Sequence, residues 1–252
     1  MEPQQAALVS GGARRIGRAI SLCLADAGYS VAIHCNRSEE EAQSLKQEIE
    51  RRGRRCAVLL GDLADPGAAE PLVRDANKAL GPLTLLVNNA SVFEEDNIAS
   101  LSRERWDRQM AINLAAPVFL AQAFAAQAPA GRSSIVNVLD QRVFKPTPLF
   151  FSYAVSKAAL HSATHMLAQA LAPGVRVNGV APGPTLPSPR QKAEDFASQS
   201  ARLPLGHSVS AADVATAILY LASADGVTGT VIPVDGGQHI AWQTPEISGI
   251  RE

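Results

Sequence analysis

Seven short, mostly apolar runs recur along the chain between longer stretches of helical pattern: Ala6–Val9, Val31–His34, Ala57–Leu60, Leu83–Val87, Ile135–Val138, Arg176–Val180 and Thr230–Val234. Their hydrophobicity is continuous rather than alternating, which fits strands covered by helices on both faces. This predicts an α/β fold, a doubly wound sheet of about seven strands, mostly or all parallel, with helices on both sides. At 252 residues and 46% hydrophobic content, a single domain over residues 1–252 can bury such a core. No linker, internal repeat or shift in composition divides it.

The segments between the runs carry helix signals. Gly28 closes an apolar helical stretch that begins at Ile16, and Gly53 stands where a polar helix opened by a Ser38/Glu41 capping box would end. Asp65-Pro66 reads as an N-cap followed by the first helical residue, and Ser210 with Asp213 as a second capping box. Ser152–Ala172 and Arg105–Gln127 read as long helices rich in Ala. The least regular part is Pro182–Leu205, rich in Pro and Ser; it reads as an active-site lid, the expected substrate loop (182–205), or equally as an ordinary surface loop.

A formal net charge of −1 gives nucleic acid no electrostatic foothold on the chain as a whole. Cys23, Cys35 and Cys56 lie in apolar or semi-apolar segments without metal-ligand spacing, so reduced core thiols are expected rather than disulfides or a metal site. His161, His165, His207 and His239 have no spaced partner that suggests a metal or a triad. With no basic leader and no run of about 18 apolar residues, a soluble cytoplasmic protein without a membrane partner is expected.

Directly after the first run comes Ser10-Gly11-Gly12-Ala13-Arg14-Arg15-Ile16-Gly17, leading into a helix. Such a turn lets backbone N–H groups and a helix dipole meet a pyrophosphate, although a glycine cluster is also simply a tight turn. The second run ends in His34-Cys35-Asn36-Arg37-Ser38, where an NAD enzyme would place an acid for the ribose 2′-hydroxyl. Arg37, with Ser38 and Arg14, instead suits a 2′-phosphate and hence NADP(H); the alternative is a solvated loop charge. Asp62 follows the third run and Asn88-Asn89-Ala90 the fourth, at strand ends where ligands of open sheets bind and where turn chemistry also favours Asp and Asn. Tyr153 and Lys157 stand four apart on one helix face, a spacing that an ordinary amphipathic helix also shows by chance; as a site, the cation would lower the phenol's pKa and fit it for proton transfer.

In order and spacing, Gly11–Gly17, Asp62-Leu63, Asn88-Asn89-Ala90, Asn113, Tyr153-x-x-x-Lys157, Pro182-Gly183 and Asp235-Gly236-Gly237 resemble the motifs of short-chain dehydrogenases/reductases over nearly the whole chain. The resemblance implies a Rossmann-type domain in which Tyr153 is the general acid, Lys157 binds the nicotinamide ribose and Asn113 supports a proton-relay water. It also implies that Asn89 and Ala90 line the cofactor channel, that Val180, Pro182 and Gly183 flank the nicotinamide, and that the chain forms a homotetramer or homodimer.

Two positions depart from the superfamily pattern. Arg15 replaces the middle glycine of the turn, and Asp140 replaces the active-site serine. An ionised carboxylate would repel the oxyanion of a carbonyl under reduction, but it accepts from N–H groups, which suits a basic amino-heterocycle with a C=N bond. The same changes, together with Asn89-Ala90-Ser91-Val92-Phe93, make the chain most similar to pteridine and dihydromonapterin reductases. That likeness implies that Phe93 stacks on a pterin, that Ser91 contacts cofactor phosphate or substrate, and that Arg15 reaches phosphate and pterin. It also implies that His34–Ser38 form the 2′-phosphate loop and that the tail Gln238–Glu252 covers a neighbouring subunit's site. Phe93 as a core residue, and Asp140 as a loop cap or partner of Arg142, stay open on sequence alone. The leading expectation is NADPH-dependent reduction of a pterin or dihydropterin, with dihydrofolate as a further substrate. The alternatives are reduction of a 3-oxoacyl or other ketone, and a non-catalytic NADP(H)-binding sensor.

Overall fold

Every apolar run is a strand. The computed structural model describes residues 5–129, 133–188 and 190–242. In it, β1 (Ala6–Val9), β2 (Ser30–Cys35), β3 (Cys56–Leu60), β4 (Leu85–Asn88), β5 (Ser133–Val138), β6 (Val175–Pro182) and β7 (Val231–Val234) form one sheet in the order β3-β2-β1-β4-β5-β6-β7. All pairings are parallel, with Val9 opposite Ile33 on one side of β1 and opposite Val87 on the other.

Alternate residues of these strands feed two cores. Ala7, Val9, Val31 and Ile33 pack with α1 (Arg15–Asp26), α2 (Glu39–Arg51) and α8 (Ala211–Ser223). Ala6, Leu8, Leu86 and Ile135 pack on the opposite face with α3 (Ala69–Leu80), α5 (Ala116–Ala125) and α6 (Phe151–Leu171), where Phe124 is fully buried. Helices on both faces explain why the strands read as continuous apolar runs. Chain order reverses between β1 and β4, which opens a crevice beyond their carboxyl ends.

Local signals fared unevenly. Ser210 and Asp213 form the expected capping box of α8. Ser38 does not: its side chain caps nothing, Glu41 pairs with Arg14 at 3.4 Å, and the helix dipole is met by the three glutamates of the first turn of α2. Asp65 is not the N-cap of α3 either. Its Oδ1 accepts from Gly67 N at 2.9 Å, a turn that delays the helix to Ala69. The expected helix over 105–127 is α4 (Arg103–Met110), a π-helical turn (Ala111–Ala115) and α5 in succession. Within Pro182–Leu205, expected to be irregular, lies helix α7 (Ala193–Ala201), which buries none of its residues. Among the described residues no helix is long and apolar enough to cross a membrane, and no cluster of three or more His, Cys, Asp or Glu is placed to hold a metal.

Candidate active site

The crevice at β1 and β4 is built by backbone contacts that only small residues allow. Ser10 Oγ accepts from the N–H groups of Asn89 and Ala90, both at 3.0 Å, and Asn89 Nδ2 donates to the carbonyls of Ser10 and Gly11. Gly11 has φ +61°, and a Cβ there would lie 2.9 Å from Ala90 Cα; a Cβ on Gly17 would fall 2.0 Å from Gly11 O. No side chain caps the N-terminus of α1, where Arg14 is the cap residue. Its first N–H groups, from Ile16 and Gly17 among others, are therefore left for an anion.

His34, expected at the cofactor, is buried below this turn. Gly11 N donates to its Nδ1 at 3.2 Å, so Nε2 carries the proton and meets Gly61 O at 3.1 Å. Burial pushes its pKa below the usual histidine value. The ring thus braces the glycine turn against the end of β3, with both nitrogens spent on backbone.

Asn36 and Arg37 are exposed beyond β2, with Ser38 half-buried beside them, and Arg37 makes no hydrogen bond or ion pair among the described residues. Asp62 Oδ1 accepts from Ala64 N at 2.9 Å in the turn after β3, and Leu63 is buried in the core. These residues stand outside the walls of the main cavity, which has a volume of about 790 Å³ and runs from Gly11 and Arg14 past Asn89 and Ala90 to Tyr153 and Lys157. Pro182 and Gly183 form its wall at the end of β6, and a Cβ on Gly183 would lie 2.7 Å from Asp235 Cα.

At the inner end, Tyr153 and Lys157 project from adjacent turns of α6. Lys157 Nζ, buried, donates to Val138 O at 2.7 Å. Its pKa falls to about 8, because burial outweighs the opposing attraction of Asp140. Tyr153 Oη donates to Asp140 Oδ2 at 3.0 Å. Arg142 holds the same carboxylate twice, its guanidinium donating to the same Oδ2 at 2.9 Å and its backbone N to Oδ1 at 2.8 Å. The phenol's pKa lies well above its ordinary value, first through burial and then through Asp140, with Arg142 opposing. The expected lowering by Lys157 is therefore absent; the ammonium lies 5.8 Å from the ring centre and donates to a strand carbonyl.

Asn113 sits in the π-helical turn and is fully buried. Its Oδ1 accepts from Ser91 Oγ at 3.0 Å and Val92 N at 2.9 Å, and its Nδ2 donates to Val92 O and Ser156 Oγ. It thereby fastens the segment after β4 to α6. Phe93 faces the cavity, and its ring meets Tyr153 edge-on at 4.7 Å while stacking on Phe150 at 4.3 Å. Arg15 has φ +53°, a strained conformation for a residue with a Cβ, costing of order 1 kcal/mol. Its guanidinium donates to Leu186 O and Pro187 O, tying the glycine turn to the segment 182–205.

A family model described as enoyl-(acyl carrier protein) reductase matches residues 11–239. The chain belongs to the short-chain dehydrogenase/reductase superfamily. An uncharacterized oxidoreductase of Escherichia coli, YghA, is 37% identical over 93% of this chain and 82% of that protein. The 3-oxoacyl-[acyl-carrier-protein] reductase FabG of Staphylococcus aureus is 29% identical over 95% of this chain and 100% of its own length. Among solved structures, FolM alternative dihydrofolate reductase 1 from Brucella suis, in complex with NADP, superposes with a TM-score of 0.93 at 46% identity, covering 96% of this chain and 98% of that one.

This short-chain dehydrogenase/reductase is an oxidoreductase, and its site holds residues that sequence reasoning did not single out. Asp96, buried, accepts from Ser152 N at 3.1 Å and from Ser152 Oγ, and its backbone O accepts from Phe150 N at 2.8 Å; it caps the helix that bears Tyr153. Phe150 itself precedes α6 with φ +56°. Arg142 and Arg190 each lie 5.4 to 5.9 Å from the centres of both Phe93 and Phe150, and Arg190 also donates to Phe93 O. An arginine two residues after Asp140 was the only local hint of this cluster; the rest is long-range packing.

Proposed function

We propose that the chain is an NADP(H)-dependent reductase of pterins or dihydropterins, acting as one domain over residues 1–252 with 182–205 as its substrate segment. The observation that carries this reading is the hydrogen bond between Tyr153 Oη and Asp140 Oδ2 inside the cavity. A carboxylate there accepts from ring and amino N–H groups, which a flat 2-amino heterocycle offers and a simple ketone does not. The FolM structure, at 46% identity and bound to NADP, supports the same reading.

The residues present fit the cofactor. The uncapped start of α1, Arg14 and the Gly11–Gly17 turn would hold the pyrophosphate, Ser91 would approach a phosphate, and the unpaired Arg37 with Asn36 and Ser38 would take the 2′-phosphate. Asp62, at the strand end after β3, would border the cofactor, with Leu63 anchoring that turn in the core. Asn89, Ala90, Pro182 and Gly183 would flank the nicotinamide, with Lys157 on its ribose. NADPH, when bound, supplies the hydride. Tyr153 donates the proton to a ring nitrogen, Asp140 orients the phenol and accepts from the substrate, and Phe93 provides an aromatic wall. Asn113 supports proton supply from within its turn. Arg15 would leave the carbonyls of 186 and 187 to reach phosphate and pterin.

A second reading rests on the Asp140–Arg142 ion pair. Arg142 offsets the carboxylate's charge, which weakens repulsion toward an oxyanion and leaves room for ketone reduction, the reaction named for FabG. The two readings separate on NADPH oxidation with dihydrobiopterin, dihydromonapterin and dihydrofolate set against 3-oxoacyl thioesters and simple ketones. Turnover of the pterins, lost in Asp140→Ser with a gain on ketones, is expected. Turnover of ketones alone overturns the pterin assignment.

Free Cys23, Cys35 and Cys56, with burial pushing the Cys56 thiol up to about 12, suit a reducing cytoplasm. Exposed Phe119 on α5 and Met166 on α6 suit a homodimer or homotetramer. The expected role of the tail, Gln238–Glu252, falls mostly outside the described residues.

A further inference from the structure

A second cavity of about 390 Å³ abuts the main one, and Asp195, Gln199 and Gln238 line both. Beyond that junction its walls are Leu203, Pro204, Ser198, Ala241 and Arg202, none of which lines the main cavity. Arg202 is exposed at the end of α7, and its side chain makes no hydrogen bond or ion pair among the described residues. Gln238, at the junction, has a side-chain oxygen that is buried and accepts no hydrogen bond.

We propose that this second cavity is a subsite for a carboxylate-ended tail on the substrate, with Arg202 as the residue that selects it. The inference rests on the pterin reading and narrows it to pterins with an extended acidic substituent, such as the aminobenzoylglutamate of dihydrofolate. The charges set the order of groups along the tail. Asp195 stands at the junction and repels an anion there, so the neutral middle of the tail passes it, over Leu203 and Pro204. The negative end then lies beyond Asp195, against the unpaired guanidinium. A donor group in the middle of the tail would satisfy the Gln238 oxygen, whose burial without a partner is otherwise unfavourable. A short pterin fills only the main cavity and meets none of these groups.

The test compares dihydrofolate with dihydrobiopterin in the wild type, Arg202→Gln and Arg202→Lys, at low and high salt. In Arg202→Gln, KM for dihydrofolate should rise about fivefold with kcat retained, as expected for one partly solvated charge-assisted contact. KM for dihydrobiopterin should not change, Arg202→Lys should restore most of the loss, and added salt should raise KM for dihydrofolate in the wild type and Arg202→Lys but not in Arg202→Gln. Equal KM values in the wild type and Arg202→Gln, or equal shifts for both substrates, overturn the subsite. Absence of turnover with both substrates overturns the pterin reading. Titration of folate into the NADPH complex then reads the subsite by itself, and affinity indifferent to Arg202→Gln overturns it as well.

Discussion

Tyr153 Oη donates to Asp140 Oδ2 at 3.0 Å, and the Arg142 guanidinium donates to the same oxygen at 2.9 Å. The phenol is thus kept protonated by its neighbour and by burial, as a proton donor must be before it acts. Lys157, one turn further along α6, is turned to Val138 O and leaves the phenol to Asp140.

Tyr153→Phe removes the donor while keeping the ring against Phe93. The expected result is a fall in kcat of about 10²- to 10⁴-fold with NADPH affinity unchanged, read by steady-state kinetics and a binding titration. A loss below tenfold would show that another group supplies the proton.

Lys157 gives a pH dependence of defined sign. Its pKa in the folded chain is about 8, against an ordinary value of 10.5. The amine loses its charge as pH rises through 8, so kcat/KM should fall above about pH 8, and binding of the anionic cofactor should move that limb to higher pH in kcat. For stability the sign is opposite. Between pH 8 and 10.5 the unfolded chain still holds the proton and the folded chain does not, so the Lys157 contribution rises with pH, by up to about 3 kcal/mol. Denaturant melts of wild type and Lys157→Met across pH 7 to 10 check this: the variant should lack the rise.

Arg37→Glu should raise KM for NADPH by roughly 10- to 100-fold, the worth of a charge-assisted phosphate contact, and improve use of NADH. Paired kinetics with the two cofactors decide it. An unchanged preference would assign the 2′-phosphate to other groups.

Phe124→Ala, in the core between β4, α3 and α5, should destabilise the fold by about 3–5 kcal/mol. Chemical denaturation measures it, and a cost under 1 kcal/mol would contradict the packing described.

The sequence by itself determined the strand positions, the glycine turn and the shared face of Tyr153 and Lys157. Those features are local: burial on both faces writes continuous apolar runs into a strand, close backbone approach demands glycine at 11 and 17, and a four-residue spacing on a helix is one turn. For Asp140 the sequence offered both roles it plays, loop cap and partner of Arg142 two residues on, but not its reach to Tyr153, which depends on how the turn after β5 settles against α6. Ser38 and Asp65 were likewise legible only in part, their capping signals having yielded to an ion pair of Glu41 and to a tight turn. Only the tertiary structure decided that His34 braces the glycine turn, that Phe93 stacks on Phe150, and that Asp96 caps the helix carrying the phenol. Each of these joins residues far apart in the chain, and contacts of that kind arise from the packing of whole elements, which no local pattern of residues encodes.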